Sequence, residues 1–235
     1  MKKYSKDKCV VFDNEYHTYH LNGKRLTSVS KLIRSYKNEF DSDKMAEKTA
    51  KKLGITKQEV LNRWKQKADL SRKTGNIIHS ALEKYVLIKQ FTNNEEYSKL
   101  NTLNSFINDM FESNRLIPIE TEYIVYNDFF AHQIDLICKD SDNNVFIFDL
   151  KTNEEITSKS YGKSMKNELY LLEDSTLIEY YLILNIDKIL IKDFKIKDMY
   201  LIHLKESNYE FIKVPELDSK QLDIIRKILS KPLLP

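Results

Sequence analysis

The sequence predicts an α/β protein: a mixed central sheet with helices on both sides and a helical part toward the N-terminus. Three observations carry that reading. Between Pro118 and Thr152, two apolar, β-branched strands are joined by the turn signal Asp140-Ser141-Asp142-Asn143-Asn144. From Asp41 to about Phe91, and again from Tyr97 to Asn114, the apolar residues recur at helical spacing. Two further strand-like runs, MYLIHLKES and YEFIKVPEL, flank Ser207-Asn208 as a hairpin and precede an amphipathic helix from Asp218 to Leu229.

The elements follow in order. Cys9 to Leu26 reads as a small hairpin with Asn22-Gly23 as a favoured two-residue turn. His17 and His20, three apart, fall on opposite faces of a strand and are expected at the surface or in a turn. Thr27-Ser28 caps a helix through SVSKLIRSY, with Lys31, Arg34 and Lys37 along its polar side. Asp41-Ser42-Asp43 starts a helix that closes on Gly54, and Thr56 with Glu59 makes a capping-box pattern for the next. Trp64 sits at helical spacing and reads as a core anchor. Gly75 then introduces NIIHSALEKYVLIKQF, in which Ile78, Leu82, Tyr85 and Val86 form the apolar stripe. A further amphipathic helix spans Tyr97 to Asn114. Beyond the central strands, the basic stretch from Ile156 to Leu172 is expected as an exposed connection, and Ser175 or Thr176 starts a helix that ends between Leu184 and Ile191.

At 235 residues, with 41% hydrophobic and 31% charged, the chain can bury a substantial core, and 4 Gly and 4 Pro leave little room for long linkers. It reads as one domain, with a hairpin and helix over 1–40, a helical part over 41–115, and the sheet with its flanking helices over 116–235. The N-terminal MKKYSKDKCVVFDNEYH lacks the apolar run of a signal peptide, and no stretch approaches a membrane span, so a cytoplasmic location is expected. Cys9 and Cys138 are far apart and form no CxxC pair, which excludes a zinc site or an iron–sulfur cluster built on cysteine alone. A net charge of +3 does not indicate a nucleic-acid partner; clustering of the 38 basic residues would.

The chemistry concentrates on the central strands. Asp149 and Lys151, two apart in a strand, share one face while Leu150 packs on the other. Asp135, read at the end of the preceding strand, lies beside them if the strands pair as a hairpin. Two carboxylates and a lysine on rigid strands suit Mg²⁺ and a phosphodiester: the cation prefers oxygen ligands, and the carboxylates keep the lysine protonated. On the helix after Gly75, His79 and Glu83 stand one turn apart on one face.

In order, Gly75-x-x-x-His79, Glu122, Asp135 and Asp149-x-Lys151 resemble the RecB-like branch of the PD-(D/E)xK nuclease superfamily. The flanking RWKQKADLSRKTGNIIHSALEKY and HLNGKRLTSVSKLI are similar to small phage-type exonucleases of that branch, and the resemblance spans about His17 to Asp187. It implies a restriction-endonuclease-like sheet and a Mg²⁺- or Mn²⁺-dependent deoxyribonuclease. It further implies Asp135 and Asp149 as metal ligands, with His79 and the backbone carbonyl of Leu150 completing the protein's share. Lys151 would orient or activate the attacking water, Glu122 would stand near a second metal position, and Glu83 would tune His79. Arg72 and Lys73 before the histidine motif, and Tyr161 and Lys163 in the basic connection, are the expected nucleic-acid contacts. The implied partner is DNA, single-stranded or with free ends, alongside replication, recombination or repair proteins. A nuclease-fold DNA-binding protein without turnover and a structure-specific endonuclease are the alternatives.

Two features, at three positions, depart from the family pattern. Relatives usually carry Gly a few residues before the first ligand aspartate, where this chain has His132. They also follow D-x-K with a helix bearing Gln-x-x-x-Tyr, where Ile183 and Asp187 stand.

Overall fold

The computed structural model describes residues 2–92 and 97–233. The chain opens with an antiparallel meander of β1 (Lys2–Tyr4), β2 (Val10–Asp13), β3 (Thr18–Leu21) and β4 (Lys24–Ser28). The expected hairpin is thus the middle of four strands. Asn22 and Gly23 both take the left-handed backbone that the β3–β4 turn requires (φ 49° and 85°). Ser28 ends β4 and caps α1 (Val29–Ser35), its Oγ accepting the Lys31 N–H at 3.2 Å.

Helices follow. α2 (Ser42–Leu53) is capped by Asp41 and closed by left-handed Gly54; α3 (Lys57–Ile88) carries the Thr56–Glu59 capping box. α4 (Ser98–Ile107) ends in a π-helical turn over Asn108–Glu112, which replaces the last part of the helix expected to run to Asn114. The sheet resumes with β5 (Ile117–Tyr126), β6 (Phe130–Lys139) and β7 (Val145–Lys151). α5 (Thr176–Leu190), capped by Ser175, leads to β8 (Ile196–Leu204), β9 (Tyr209–Val214) and α6 (Ser219–Leu229).

The sheet is mixed, and β6 is its pivot. β5 runs antiparallel along one edge of β6. A strand has only two edges, so β4 and β7 divide the other: β4 pairs in parallel at Phe130 and Ala131, β7 antiparallel from Leu136 to Lys139. Residues 132–135 are left between the two neighbours. Asp135 therefore lies inside β6, at the mouth of this gap, and not at a strand end as the sequence suggested. β8 continues the sheet parallel to β7, and β9 pairs antiparallel with β8.

Helices cover both faces. Leu32 and Ile33 of α1, Leu182 and Ile186 of α5 and Ile225 of α6 pack with Ile137, Ile147 and Leu201. On the other face, Ile78 and Leu82 of α3 and Leu103 and Phe106 of α4 pack with Leu136, Phe148, Leu150 and Ile202. The alternation of Ile147 with Phe148 along β7 is the two-residue period of a strand buried on both sides. Trp64 is half-buried against a small cluster of Ala46, Ala50 and Val60, in line with its reading as an anchor.

Gly75 does not open a new helix: α3 passes through it unbroken. One mid-helix glycine costs about 1 kcal/mol, less than the burial of Ile78, Leu82 and Tyr85 just beyond it returns. A Cβ at this position would meet only Thr152 Oγ1, at 3.5 Å, an ordinary contact. Gly75→Ala is expected to stabilise the protein by about 0.5–1 kcal/mol and raise the melting temperature by about 2 °C; a lower melting temperature would contradict this packing.

Candidate metal centre

The gap beside β6 opens into a cleft of about 780 Å³ whose walls include His79, Glu122, His132 and Asp135. His79 reaches it from α3. Its Nδ1 lies 3.3 Å from Asp135 Oδ1 and 3.7 Å from Glu122 Oε1. Ligand atoms of these three residues all fall within 4.8 Å of one another. Glu122 comes from β5, where the ladder steps from Thr121–Leu136 to Tyr123–Ile134 over Glu122 and Asp135. Its backbone is left-handed at φ 52°, a conformation that costs a non-glycine residue about 1–2 kcal/mol and that recurs at functional sites.

A second group adjoins the first. The β6–β7 ladder ends at Leu136–Phe148, and beyond it Asp135 Oδ2 accepts the Leu150 N–H at 2.7 Å. The carboxylate thus replaces a ladder carbonyl and is locked to β7. Asp149 and Lys151 share a face, Leu150 packing opposite in the α3–α4 core. The Lys151 ammonium donates to Asp149 Oδ1 at 2.8 Å and stands 4.5 Å from the centre of the Tyr180 ring on α5. Asp149 Oδ2 is 2.7 Å from the same ammonium but off any hydrogen-bonding direction. Among the described residues it is the one buried side-chain oxygen or nitrogen with no hydrogen-bond partner.

The titrations follow from this crowding. Burial alone would lower the His79 imidazole, but Asp135 and Glu122 outweigh it and hold the group up at about 10. Burial would raise Asp135, yet His79, Lys151 and the Leu150 N–H keep it well below the usual carboxylate range. Asp149 goes the other way, to about 6, raised by burial and by the charge of Asp135 against the pull of Lys151. Lys151, which burial would lower, is held above its ordinary value by Asp149 and Asp135. The site therefore holds a protonated lysine and, until a cation displaces its proton, a protonated histidine.

His132 and Asp187, two of the three positions singled out in the sequence, meet each other. His132 Nδ1 lies 2.9 and 3.0 Å from the two Asp187 oxygens, and Nε2 lies 3.4 Å from Ser30 Oγ. Burial would lower the His132 imidazole, but Asp187 outweighs it and holds the group above its ordinary value; burial raises the Asp187 carboxyl despite the opposing pull of His132. The pair fastens α5 to β6 beside the gap. Ile183, one turn earlier, is buried in the α5 core.

The remaining expected site residues are more scattered. Glu83 faces the cleft, but its carboxylate holds Lys3 at 2.7 Å, and Lys3 in turn reaches Glu122 at 3.5 Å. Leu150 engages the site through its N–H. Arg72 lines the cleft and pairs with Asp69 on its own helix; the Lys73 ammonium lies 5.8 Å from the Tyr97 ring centre. Tyr161 is 85% exposed and Lys163 is exposed, and neither lines the cleft. Their segment is fastened to the end of α1 by Lys166 N–H to the Tyr36 carbonyl and Asn38 to the Ser164 carbonyl. Lys3 and Tyr180 were not foreseen. Tyr180, Ile183 and Asp187 recur at three, four and seven, one face of a helix, and that spacing marks α5 as the element over the site.

One imidazole and two carboxylates, with ligand atoms within 4.8 Å of one another, form a donor set that can hold a divalent cation; Asp149, expected as a ligand, is not part of this cluster. No family model and no curated protein matches the chain. A solved structure described as "Crystal structure of SSO0001" is similar at a TM-score of 0.38 and 12% identity, over 90% of this chain and 78% of that one. A likeness this slight carries neither fold nor function across. Among the described residues no helix is long and apolar enough to cross a membrane.

Removing Asp187 strands a buried imidazolium. Asp187→Ala is expected to lower unfolding free energy by about 3–5 kcal/mol in urea, with the double His132→Leu/Asp187→Leu variant recovering part of the loss. A single-variant loss below about 1 kcal/mol would show that the pair does not fasten α5.

Proposed function

We propose that the chain is a divalent-metal-dependent deoxyribonuclease of the RecB-like PD-(D/E)xK type. The reading has it act as an exonuclease on single-stranded or end-containing DNA. The observation that carries it is the link from Asp135 to β7. Through the Leu150 N–H, that link sets the His79–Glu122–Asp135 cluster beside the Asp149–Lys151 pair at one gap in the sheet. Five side chains of the resemblance, drawn from α3, β5, β6 and β7, meet there although up to 72 positions separate them.

His79, Glu122 and Asp135 would hold the cation. A bound Mg²⁺ or Mn²⁺ neutralises phosphate charge and lowers the pKa of a coordinated water. The chain's own residues supply the rest. Lys151, fixed between Asp149 and the Tyr180 ring, offers its remaining ammonium protons to a phosphate oxygen and to the attacking water. Asp149 orients Lys151, its two oxygens lying 2.8 and 2.7 Å from the ammonium. Tyr180 shields the lysine on one side, its hydroxyl fixed by Asn153 at 2.9 Å. In the cleft walls Arg34 and Arg72 are positioned for a polyanion.

A second reading, a nuclease-fold DNA-binding protein without turnover, draws on α5. Ile183 is buried and Asp187 is taken by His132, so neither serves DNA as Gln and Tyr would. End-labelled single-stranded DNA incubated with Mn²⁺, Mg²⁺ or EDTA separates the two. The nuclease reading expects products with metal, none with EDTA, and at least about 10²-fold slower cleavage by Asp149→Ala and Lys151→Ala. Tight binding with no cleavage across metals and substrates would leave the second reading standing. Cutting of covalently closed circles would replace the exonuclease assignment with an endonuclease.

A further inference from the structure

The cluster has a fourth charged group that no reading of the motif requires. Lys3 sits on β1, where its neighbours Lys2 and Tyr4 are exposed and Lys3 alone turns inward. Pairing of Lys3 with Phe12 fixes its place against the cleft wall. Its ammonium lies 2.7 Å from Glu83 Oε1 and 3.5 Å from Glu122 Oε2, and its side chain is only 16% exposed.

The two oxygens of Glu122 therefore face different partners. Oε1 turns to His79 and the candidate cation position; Oε2 turns to Lys3. This is the arrangement of a carboxylate bridging two cations, as in sites where paired metal ions stand about 3.5–4 Å apart. The charge agrees. Glu83, Glu122 and Asp135 bring three negative charges and Lys3 returns one, leaving what a single divalent ion neutralises.

We propose that Lys3 is a built-in second cation: its ammonium fills the place of a second metal ion between Glu83 and Glu122 and limits the centre to one divalent ion. This rests on the metal-centre reading above. It makes Lys3 a positioning residue, holding Glu122 with one oxygen free for the cation. It also gives the meander a task in the site, since β1 is the element that delivers the ammonium.

The test is Mn²⁺ stoichiometry by calorimetry and electron paramagnetic resonance on the full chain, with melting curves as the folding control. Wild type is expected to bind one Mn²⁺. Lys3→Met is expected to bind two, with the spin–spin broadening of neighbouring ions, and adding Glu83→Gln is expected to return it to one. Lys3→Gln, which keeps a donor and drops the charge, gives the same reading should the methionine variant fail to fold. One ion with unchanged affinity in both variants would overturn the proposal. No ion in wild type but one in Lys3→Met would sink the metal-centre reading and keep Lys3 as the resident cation. No ion in any of them would overturn both.

Discussion

Negative charge gathered at one gap in the sheet is the constraint around which this structure is arranged. Two carboxylates with oxygens within 4.8 Å repel by roughly 3.5 kcal/mol at an effective dielectric of about 20, and Asp149 and Glu83 stand close by. Every neighbouring element contributes something that answers this charge. α3 brings His79, β1 brings Lys3, and β7 brings both Lys151 and the Leu150 N–H. The distribution is uneven. Asp135 collects three stabilising partners and is held below the usual carboxylate range, whereas both oxygens of Asp149 depend on one lysine and Oδ2 receives no hydrogen bond.

The sheet makes the gap and the helices keep it. With β4 and β7 sharing an edge of β6, positions 132–135 are free of ladder hydrogen bonds on one side, so side chains can take over that space. α5 then closes over it. His132–Asp187 ties the helix to β6, while Arg34 of α1 and Lys37, just beyond its end, reach Glu179 near the N-terminus of α5. Tyr180 lies between these ties and covers Lys151. The pairs at Glu179 and Asp187 therefore fix both ends of the helix stretch that carries Tyr180.

Much of this was legible in the sequence, for local reasons. Caps at Ser28, Asp41, Thr56, Ser175 and Asp218 depend on one side chain and the backbone three residues on, so their spacing is enough to find them. The shared face of Asp149 and Lys151 follows from strand period alone. What escaped depends on pairing between distant segments. Lys3 carries no signal until β1 joins the sheet, and the pairing of His132 with Asp187 needs α5 laid against β6. Gly75 misled for a different reason: its flanks bury enough apolar surface to carry the helix across it. Glu83 was placed correctly on its helix face, but its partner came from a strand too short to announce itself.

The most direct test of the account is where a cation binds. A crystal of the full chain soaked in Mn²⁺ and measured at the manganese absorption edge locates the ion without reference to activity. The account predicts one anomalous peak bounded by His79, Glu122 and Asp135, with the Lys3 ammonium on the far side of Glu122. A peak elsewhere in the cleft, or none while the protein remains folded, would contradict it.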